Sequence, residues 1–362
     1  MKQSKSIGIL GGGQLAKMLC DSAKKMGYKT IILDPDSESC GKFSSNIHIN
    51  KSYKDEEALK KMCVMSDVIT YEFENVSIDS VEFIEKNSGN IPQGKAPLYI
   101  SQNRVREKNA VSRLGIKTAK YIQVFNKKDL ENDILKIGFP SLLKTCSGGY
   151  DGKGQWKLVN ECDLENIKLE NREYILEEMI DFEKEVSCLV VRGVNKEIVT
   201  FPVGENIHEK GILKMTIVPA RISKALETKI VESSKMIIEE LDFVGPLGIE
   251  FFIKGDEIYF NEMAPRPHNS AHYTMDACNF SQFDIHLMSI LGLNFPEIKL
   301  LNGVVMLNIF GEDRTKVEKI SESKEVKVHI YGKNLWKPGR KMGHVNFCGE
   351  DIEELINLVK SF

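Results

Sequence analysis

The chain has 362 residues, 42% hydrophobic and 28% charged, enough for two or three globular domains at roughly 100–200 residues each. A net charge of −3 supplies no general attraction for nucleic acid or an anionic membrane, so an anionic ligand must be met by basic groups placed locally. No run of about 20 apolar residues is present to span a bilayer, and the eight cysteines show neither a C-x-x-C pair nor zinc-like spacing, which fits reduced thiols in a cytoplasmic protein.

Met1–Gly13 reads as a short strand entering a glycine turn, not as a signal peptide. Through residue 100, strands at Ser6–Leu10, Thr30–Leu33 and Asp67–Phe73 alternate with helices at Gln14–Met26, Asp55–Met62 and Ile78–Lys86. This βαβ rhythm predicts a parallel, doubly wound sheet. Beyond Ser101 come a charged helix (Asn103–Leu114), a strand (Tyr121–Phe125), a helix (Lys127–Lys136) and a strand (Ser141–Lys144) that runs into a glycine loop at Ser147–Gly154. Strands at Trp156–Val159 and Glu173–Met179, a β-rich stretch over Glu185–Ile222 and a helix at Ser223–Leu241 follow. Two strands about Gly255-Asp256 and a helix near Phe283–Leu291 close this region. The remainder predicts strands at Val304–Phe310, Glu325–Tyr331 and His344–Phe347 and a helix at Asp351–Lys360, dividing the chain into 1–100, 101–295 and 296–362.

Gly11-x-Gly13-x-x-Ala16 fits a dinucleotide fingerprint, and Asp34 ends the next strand where a ribose-binding carboxylate would sit. An NAD-dependent dehydrogenase is therefore a rival reading. The signal is weak alone, because any open α/β sheet needs glycine at a tight strand-to-helix turn. No hydride-transfer site is recognisable further along.

The segment from Lys144 to Gln155 is more informative. A lysine ends a strand, and a loop with four glycines (Gly148, Gly149, Gly152, Gly154) then carries Lys153. Free backbone N–H groups and neighbouring lysines suit phosphate oxygens, although the Walker A pattern does not fit. Glu177-Glu178-Met179-Ile180 at a strand end, with Glu185 beyond, could form a purine and ribose slot; acidic strand ends are also commonly just solvated. Glu250 has apolar neighbours and Glu262 follows the apolar run Ile258–Phe260. Carboxylates in strands that otherwise read as buried need a cation, and the pair suits Mg²⁺, which takes one or two carboxylates and completes its shell with phosphates. Two structural salt bridges are the bland alternative. A three-residue loop at Gly255-Asp256-Glu257 sets Glu250 opposite Glu262; a two-residue loop at Gly255-Asp256 puts them on opposite faces. Arg266, His268, Asn269 and Ser270 follow the second carboxylate closely. Between Lys333 and His344, five basic residues lie within twelve positions, with Gly332, Pro338 and Gly339 to turn Lys333 and Arg340 toward one point.

The stretches GILGGGQL, YEFENV, GGYDGKGQ, NEMAPRPHNS, SQFDIHL, HIYGK and RKMGH occur in this order from residue 7 to about 346. As a set they resemble the N5-carboxyaminoimidazole ribonucleotide synthetase family of the ATP-grasp superfamily. The resemblance implies a mixed α/β and α+β architecture: an N-terminal Rossmann-like pre-ATP-grasp domain, an ATP-grasp domain with a lid at about 116–180, and a small C-terminal β-rich domain. It implies ATP and Mg²⁺ as cofactors, bicarbonate and 5-aminoimidazole ribonucleotide as substrates, and a homodimer.

Carried over by motif, Arg104, Lys144, Gly149–Gln155 (Gly149, Tyr150, Asp151, Gly152, Lys153, Gly154, Gln155), Glu177, Glu178, Met179, Ile180, Glu185, His208, Asn261 and Glu262 meet ATP. Glu250 and Glu262 are the metal ligands, and Arg266, Lys144 and Lys153 support catalysis. Glu72, Glu74, Tyr150, Asp151, Arg266, His268, Asn269, Ser270, Lys333 and Arg340 meet the acceptor nucleotide. Ala16-Lys17 stands where the family often has Gly-Arg, and Ala271 where glycine is usual, which could narrow a backbone approach. A sister ATP-grasp ligase, the formate-using glycinamide ribonucleotide transformylase, would share the ATP site, but NEMAPRPHNS and RKMGH argue against it. A non-catalytic nucleotide-binding protein is expected to have lost Lys144, Glu250 or Glu262, and all three are present.

Overall fold

The computed structural model describes residues 5–149, 154–320 and 326–361; Tyr150, Asp151, Gly152 and Lys153 lie outside the described residues. Near the N-terminus four parallel strands stand in the order Ile47–Ile49, Lys29–Leu33, Ser6–Leu10, Val68–Tyr71. The run Ile7–Leu10 and all of Val68–Tyr71 are buried, as expected for a parallel sheet covered on both faces. The helix Gln14–Lys25 buries Leu15 and Leu19 against Phe283 and Leu287 of the helix Gln282–Leu291. A second core joins Leu10, Ile69 and Val81 of this unit to Val186, Ile230 and Phe251 further along the chain. The first unit and the central base are thus welded by shared apolar packing, which holds the segment after Val68–Tyr71 beside the base.

A separate four-stranded antiparallel sheet, in the order Tyr121–Val124, Tyr174–Glu178, Ser141–Thr145, Gln155–Leu158, carries the glycine loop. It has its own small core of Val124, Leu130, Ile134, Leu143, Tyr174 and Leu176. The base is a nine-stranded antiparallel sheet running from Glu257–Ala264 at one edge through Gly245–Lys254 and Lys184–Arg192. The sheet does not stop near residue 296. Gly303–Phe310 pairs with Ile212–Val218, so the C-terminal strands Lys341–Gly349 and Val326–Ile330 extend it. All eight cysteines are free, and no helix among the described residues is long and apolar enough to cross a membrane.

The hairpin of the two carboxylates takes the second of the two loop alternatives and still sets Glu250 against Glu262. Lys254 pairs with Glu257, so the turn is the two-residue Gly255-Asp256 with Gly255 at φ +57°, not the three-residue loop. A regular ladder from that turn would set Glu250 against Asn261. Instead a β-bulge follows Phe251↔Phe260: Asn261 is the extra residue, and Glu250 pairs directly with Glu262. Turn length alone did not decide the facing; the bulge reversed its consequence.

Candidate active site

A cleft of about 480 Å³ lies between the glycine-loop sheet, the carboxylate hairpin and the segment after Tyr71. Its lining includes Glu74, Arg104, Lys144, Gly149, Gly154, Gln155, Glu185, His208, Glu250, Asn261, Glu262, Arg266, His268 and Asn269, all singled out from sequence. On the phosphate-suited side, Asn103 caps its helix by accepting the N–H groups of Val105 and Arg106, which sets Arg104 at the first turn. The Arg104 N–H bonds the Cys146 carbonyl at 2.9 Å, and its Nη1 donates to Glu262 Oε2 at 2.9 Å. Lys144 Nζ donates to Glu177 Oε2 at 2.8 Å, while Lys108 Nζ lies 3.5 Å from Glu177 Oε1. Burial alone would raise the Glu177 carboxyl; Lys108 and Lys144 outweigh it and hold it at about 2. The Glu177 side chain is therefore committed to two lysines, and Glu177, Glu178, Met179 and Ile180 do not line the cleft. Phe182 and Phe252, stacked at 4.4 Å with planes 9° apart, do line it and present the flat apolar surface a purine needs.

Burial, followed by the neighbouring Glu262 and Glu185 carboxylates, raises Glu250 well above the usual carboxylate range. His268 Nε2 lies 3.8 Å from its Oε1, and the Lys341 and Arg266 charges pull it only partly back. Glu185, His208 and Glu250 each bring a ligand-type atom within 4.8 Å of one another, and His208 Nδ1 lies 2.9 Å from Glu185 Oε2. Three carboxylates and an imidazole crowded at one buried wall are costly without a cation. Arg104 already meets Glu262, while Glu250 opposite it is the carboxylate left costly by burial and its neighbours; the directly opposed pair fits a hard divalent ion by donor type.

Across the cleft, Arg266 bonds both oxygens of Glu74, through Nε and, at 3.0 Å, through Nη2. Burial, then the Arg266 charge, lowers His268 to about 3, so its imidazole is neutral. Its Nδ1 sits 2.7 Å from Ser270 Oγ, which lies behind the cleft wall and also accepts from Ser187. Asn269 lines the cleft with a buried Nδ2 that has no partner, a donor left for a ligand.

Glu72 is placed elsewhere than the cleft lining. It is buried under the first glycine loop, accepting the Gly13 N–H at 3.0 Å, and burial lifts it to about 7. A Cβ on Gly11 would stand 2.4 Å from Glu72 Cγ, and one on Gly12 2.6 Å from Ser39 Oγ. Asp34 accepts the Tyr53 hydroxyl at 2.6 Å. The loop's glycines are thus explained by close packing with the chain's own groups, and the supposed ribose carboxylate is already engaged.

Lys333 lies over Tyr331 and donates to the Lys341 carbonyl at 2.8 Å; burial and then neighbouring charges, with the Cys40 and Glu72 side chains acting oppositely, bring it down to about 8. The Arg340 guanidinium is turned to the Leu335 carbonyl, and neither basic group lines the cleft. Ala271 packs into an apolar core with Tyr273 and Ala277, where its methyl is accommodated. Sequence reasoning missed Lys341, Glu107, Gln102 and the Phe182–Phe252 pair in the lining. Lys341 stood next to Arg340 in a noted motif, and Glu107 follows Arg104 by three positions on a helix, a spacing that shares a face; the two phenylalanines belong to no motif.

The fold and cleft define an ATP-grasp protein. Residues 109–283 match the ATP-grasp domain, residues 4–102 the ribonucleotide synthetase preATP-grasp domain, and residues 304–358 the phosphoribosylaminoimidazole carboxylase C-terminal domain. N5-carboxyaminoimidazole ribonucleotide synthase of Bacillus subtilis (strain 168) is 44% identical over 97% of this chain and 93% of its own length. The protein of that name from Staphylococcus aureus (strain MRSA252) is 43% identical over 98% of this chain and 95% of its own. Among solved structures, the Staphylococcus aureus enzyme complexed with ADP superposes with a TM-score of 0.94 at 42% identity, covering 100% of this chain and 97% of that one. The Aspergillus clavatus enzyme in complex with ADP and 5-aminoimidazole ribonucleotide superposes at 0.90 with 30% identity and full coverage of both chains. This chain belongs to the N5-carboxyaminoimidazole ribonucleotide synthase family.

Proposed function

We propose that the chain is an ATP-dependent ligase that joins bicarbonate to the exocyclic amine of 5-aminoimidazole ribonucleotide, giving N5-carboxyaminoimidazole ribonucleotide, ADP and phosphate in purine biosynthesis. The observation that carries this reading is the placement of Glu250 opposite Glu262, with Arg104 and Lys144 on one side and Arg266, His268 and Asn269 on the other. The relatives' names and the Aspergillus clavatus complex support the substrates.

Arg104 and Lys144 meet ATP phosphates, the stacked Phe182–Phe252 pair packs against the purine from one side, and Glu185 and His208 meet the ribose. The Glu177 side chain fixes Lys144. Glu250 and Glu262, beside Asn261, hold magnesium, which neutralises charge on the phosphoryl group when bound. A bicarbonate oxygen attacks the γ-phosphorus, ADP leaves, and carboxyphosphate forms. Arg266, aimed by Glu74, and the donor Asn269 Nδ2 stabilise the new anion and hold it in line. Carboxyphosphate divides into CO₂ and phosphate; the amine takes the CO₂ and loses one proton. Gly149, Gly154 and Gln155 at the cleft rim help exclude water, which would destroy the intermediate. Lys333 and Arg340, on the Glu72 side of the glycine loop, bind the acceptor's 5′-phosphate, with Ser270 supporting His268 beside the aminoimidazole. The protein works in the cytoplasm as a homodimer.

The test is ADP release with labelled bicarbonate, with and without aminoimidazole ribonucleotide. Turnover is expected to need bicarbonate, to rise strongly with the aminoimidazole nucleotide and to place label in the product. Formate-dependent turnover with glycinamide ribonucleotide assigns the chain to the sister reaction instead, and neither formate nor NAD(H) is expected to stimulate it.

A further inference from the structure

The helix Arg104–Arg113 turns three charged side chains, at positions i, i+3 and i+4, toward three consecutive residues of the bulged strand. Arg104 bonds the Glu262 carboxylate; Glu107 Oε1 accepts the Met263 N–H at 2.6 Å; Lys108 Nζ donates to the Asn261 carbonyl at 3.3 Å. Glu107 and Lys108 are each only 2% exposed. Charged side chains survive such burial only where partners meet them, and here those partners include backbone groups on either side of Glu262.

The strand Glu257–Ala264 is the edge of its sheet; beyond the single bridge at Thr118, where the Phe260 N–H donates to the Lys117 carbonyl at 2.7 Å, its outward backbone groups have no neighbouring strand in that sheet. A bulge also takes the extra residue out of the ladder. Lys108 and Glu107 satisfy backbone groups at and just beyond that interruption. The bulge at Asn261 is what brings Glu262 opposite Glu250; in a regular ladder Asn261 would stand there. Lys108 further lies 3.5 Å from Glu177, whose other oxygen holds Lys144. One buried ammonium thus touches both the hairpin and the lysine-bearing sheet.

We propose that Glu107 and Lys108 are positioning residues that hold the Asn261 bulge in register and thereby set the spacing of the Glu250–Glu262 metal pair. The inference rests on the metal reading given above. Both side chains act through the strand backbone rather than as ligands.

The experiment uses the full chain with Mn²⁺ as the probe, titrated by electron paramagnetic resonance in the presence of ADP, alongside steady-state kinetics and thermal melts. Folded Lys108→Met and Glu107→Leu are expected to bind Mn²⁺ at least tenfold more weakly, with KM for the aminoimidazole nucleotide changed less than twofold. Glu107→Gln, which keeps an oxygen for the Met263 N–H, is expected to retain Mn²⁺ affinity within about threefold. Wild-type Mn²⁺ affinity in Glu107→Leu overturns the proposal, as does equal weakening in Glu107→Gln and Glu107→Leu. Should Lys108→Met not fold, the two Glu107 variants decide alone. Glu250→Gln and Glu262→Gln serve as the separate control: if neither weakens Mn²⁺ binding, the metal reading itself fails, whatever the helix variants do.

Discussion

Arg266 and Glu74 grip one another across the junction between the base and the N-terminal unit, the guanidinium Nη2 reaching Oε1 at 3.0 Å while Nε bonds Oε2. Such a paired, two-point contact fixes the plane of the guanidinium as well as its position. Glu74→Gln keeps one oxygen and loses the charge. It is expected to lower kcat about 10–100-fold, the equivalent of roughly 1.5–3 kcal/mol for a charge-assisted hydrogen bond. ADP affinity, measured by calorimetry, should stay within twofold, and an equal loss of ADP binding would show that the pair organises the whole cleft.

The same pair has a pH signature. Burial pushes Glu74 up, but Arg266 outweighs it and holds the carboxyl at about 2. A depressed acid contributes stability above its unfolded value near 4.5, and loses it as pH falls toward 2. The difference in melting temperature between wild type and Glu74→Gln should therefore be constant from pH 6 to 8 and shrink below about 4.5.

Glu72 carries the opposite sign. Burial lifts it to about 7, with the Gly13 N–H and Arg266 pulling only partly back. The protonated form is favoured in the fold, so its contribution is full below about 4.5 and is lost as pH rises through about 7, a change of roughly 3 kcal/mol. Glu72→Gln, which still offers an oxygen to Gly13, is expected to gain melting temperature relative to wild type as pH is raised from 5 to 8. A flat difference across that range would mean the carboxylate finds other compensation.

Glu250 trades stability for its proposed role. Burial and two neighbouring carboxylates raise it, so removing its charge relieves repulsion. Glu250→Gln is expected to melt higher than wild type in metal-free buffer while turnover falls at least 100-fold. Differential scanning calorimetry with and without Mg²⁺ checks it: wild type should gain more from Mg²⁺ plus ADP than the variant does.

Among the described residues the Arg340 guanidinium bonds the Leu335 carbonyl of its own loop, through one nitrogen at 3.3 Å. Arg340→Ala is expected to raise KM for the aminoimidazole nucleotide about 10–100-fold with KM for ATP unchanged. Equal effects on both substrates would place the 5′-phosphate elsewhere.

The alternation of strand and helix up to residue 100, the glycine loop after Lys144 and the run of family motifs were legible in the chain alone, because they are local patterns of side-chain type and spacing. Even the residues gathered at the cleft, from Arg104 to His268, could be named in advance by motif. What the linear order could not carry was facing. Whether Glu250 meets Glu262 depends on one extra residue in a ladder, and the backbone groups at that bulge are taken by a helix some 150 positions earlier, as the Lys108 bond to Asn261 shows. Likewise Glu177 looked like a nucleotide contact at a strand end, and two lysines from separate elements claim its side chain. Glu72 looked like a substrate acid and is buried under a glycine turn. In each case a charged group's role is set by which opposite charge or backbone donor lies within about 3 Å after folding, a distance that tertiary packing alone decides.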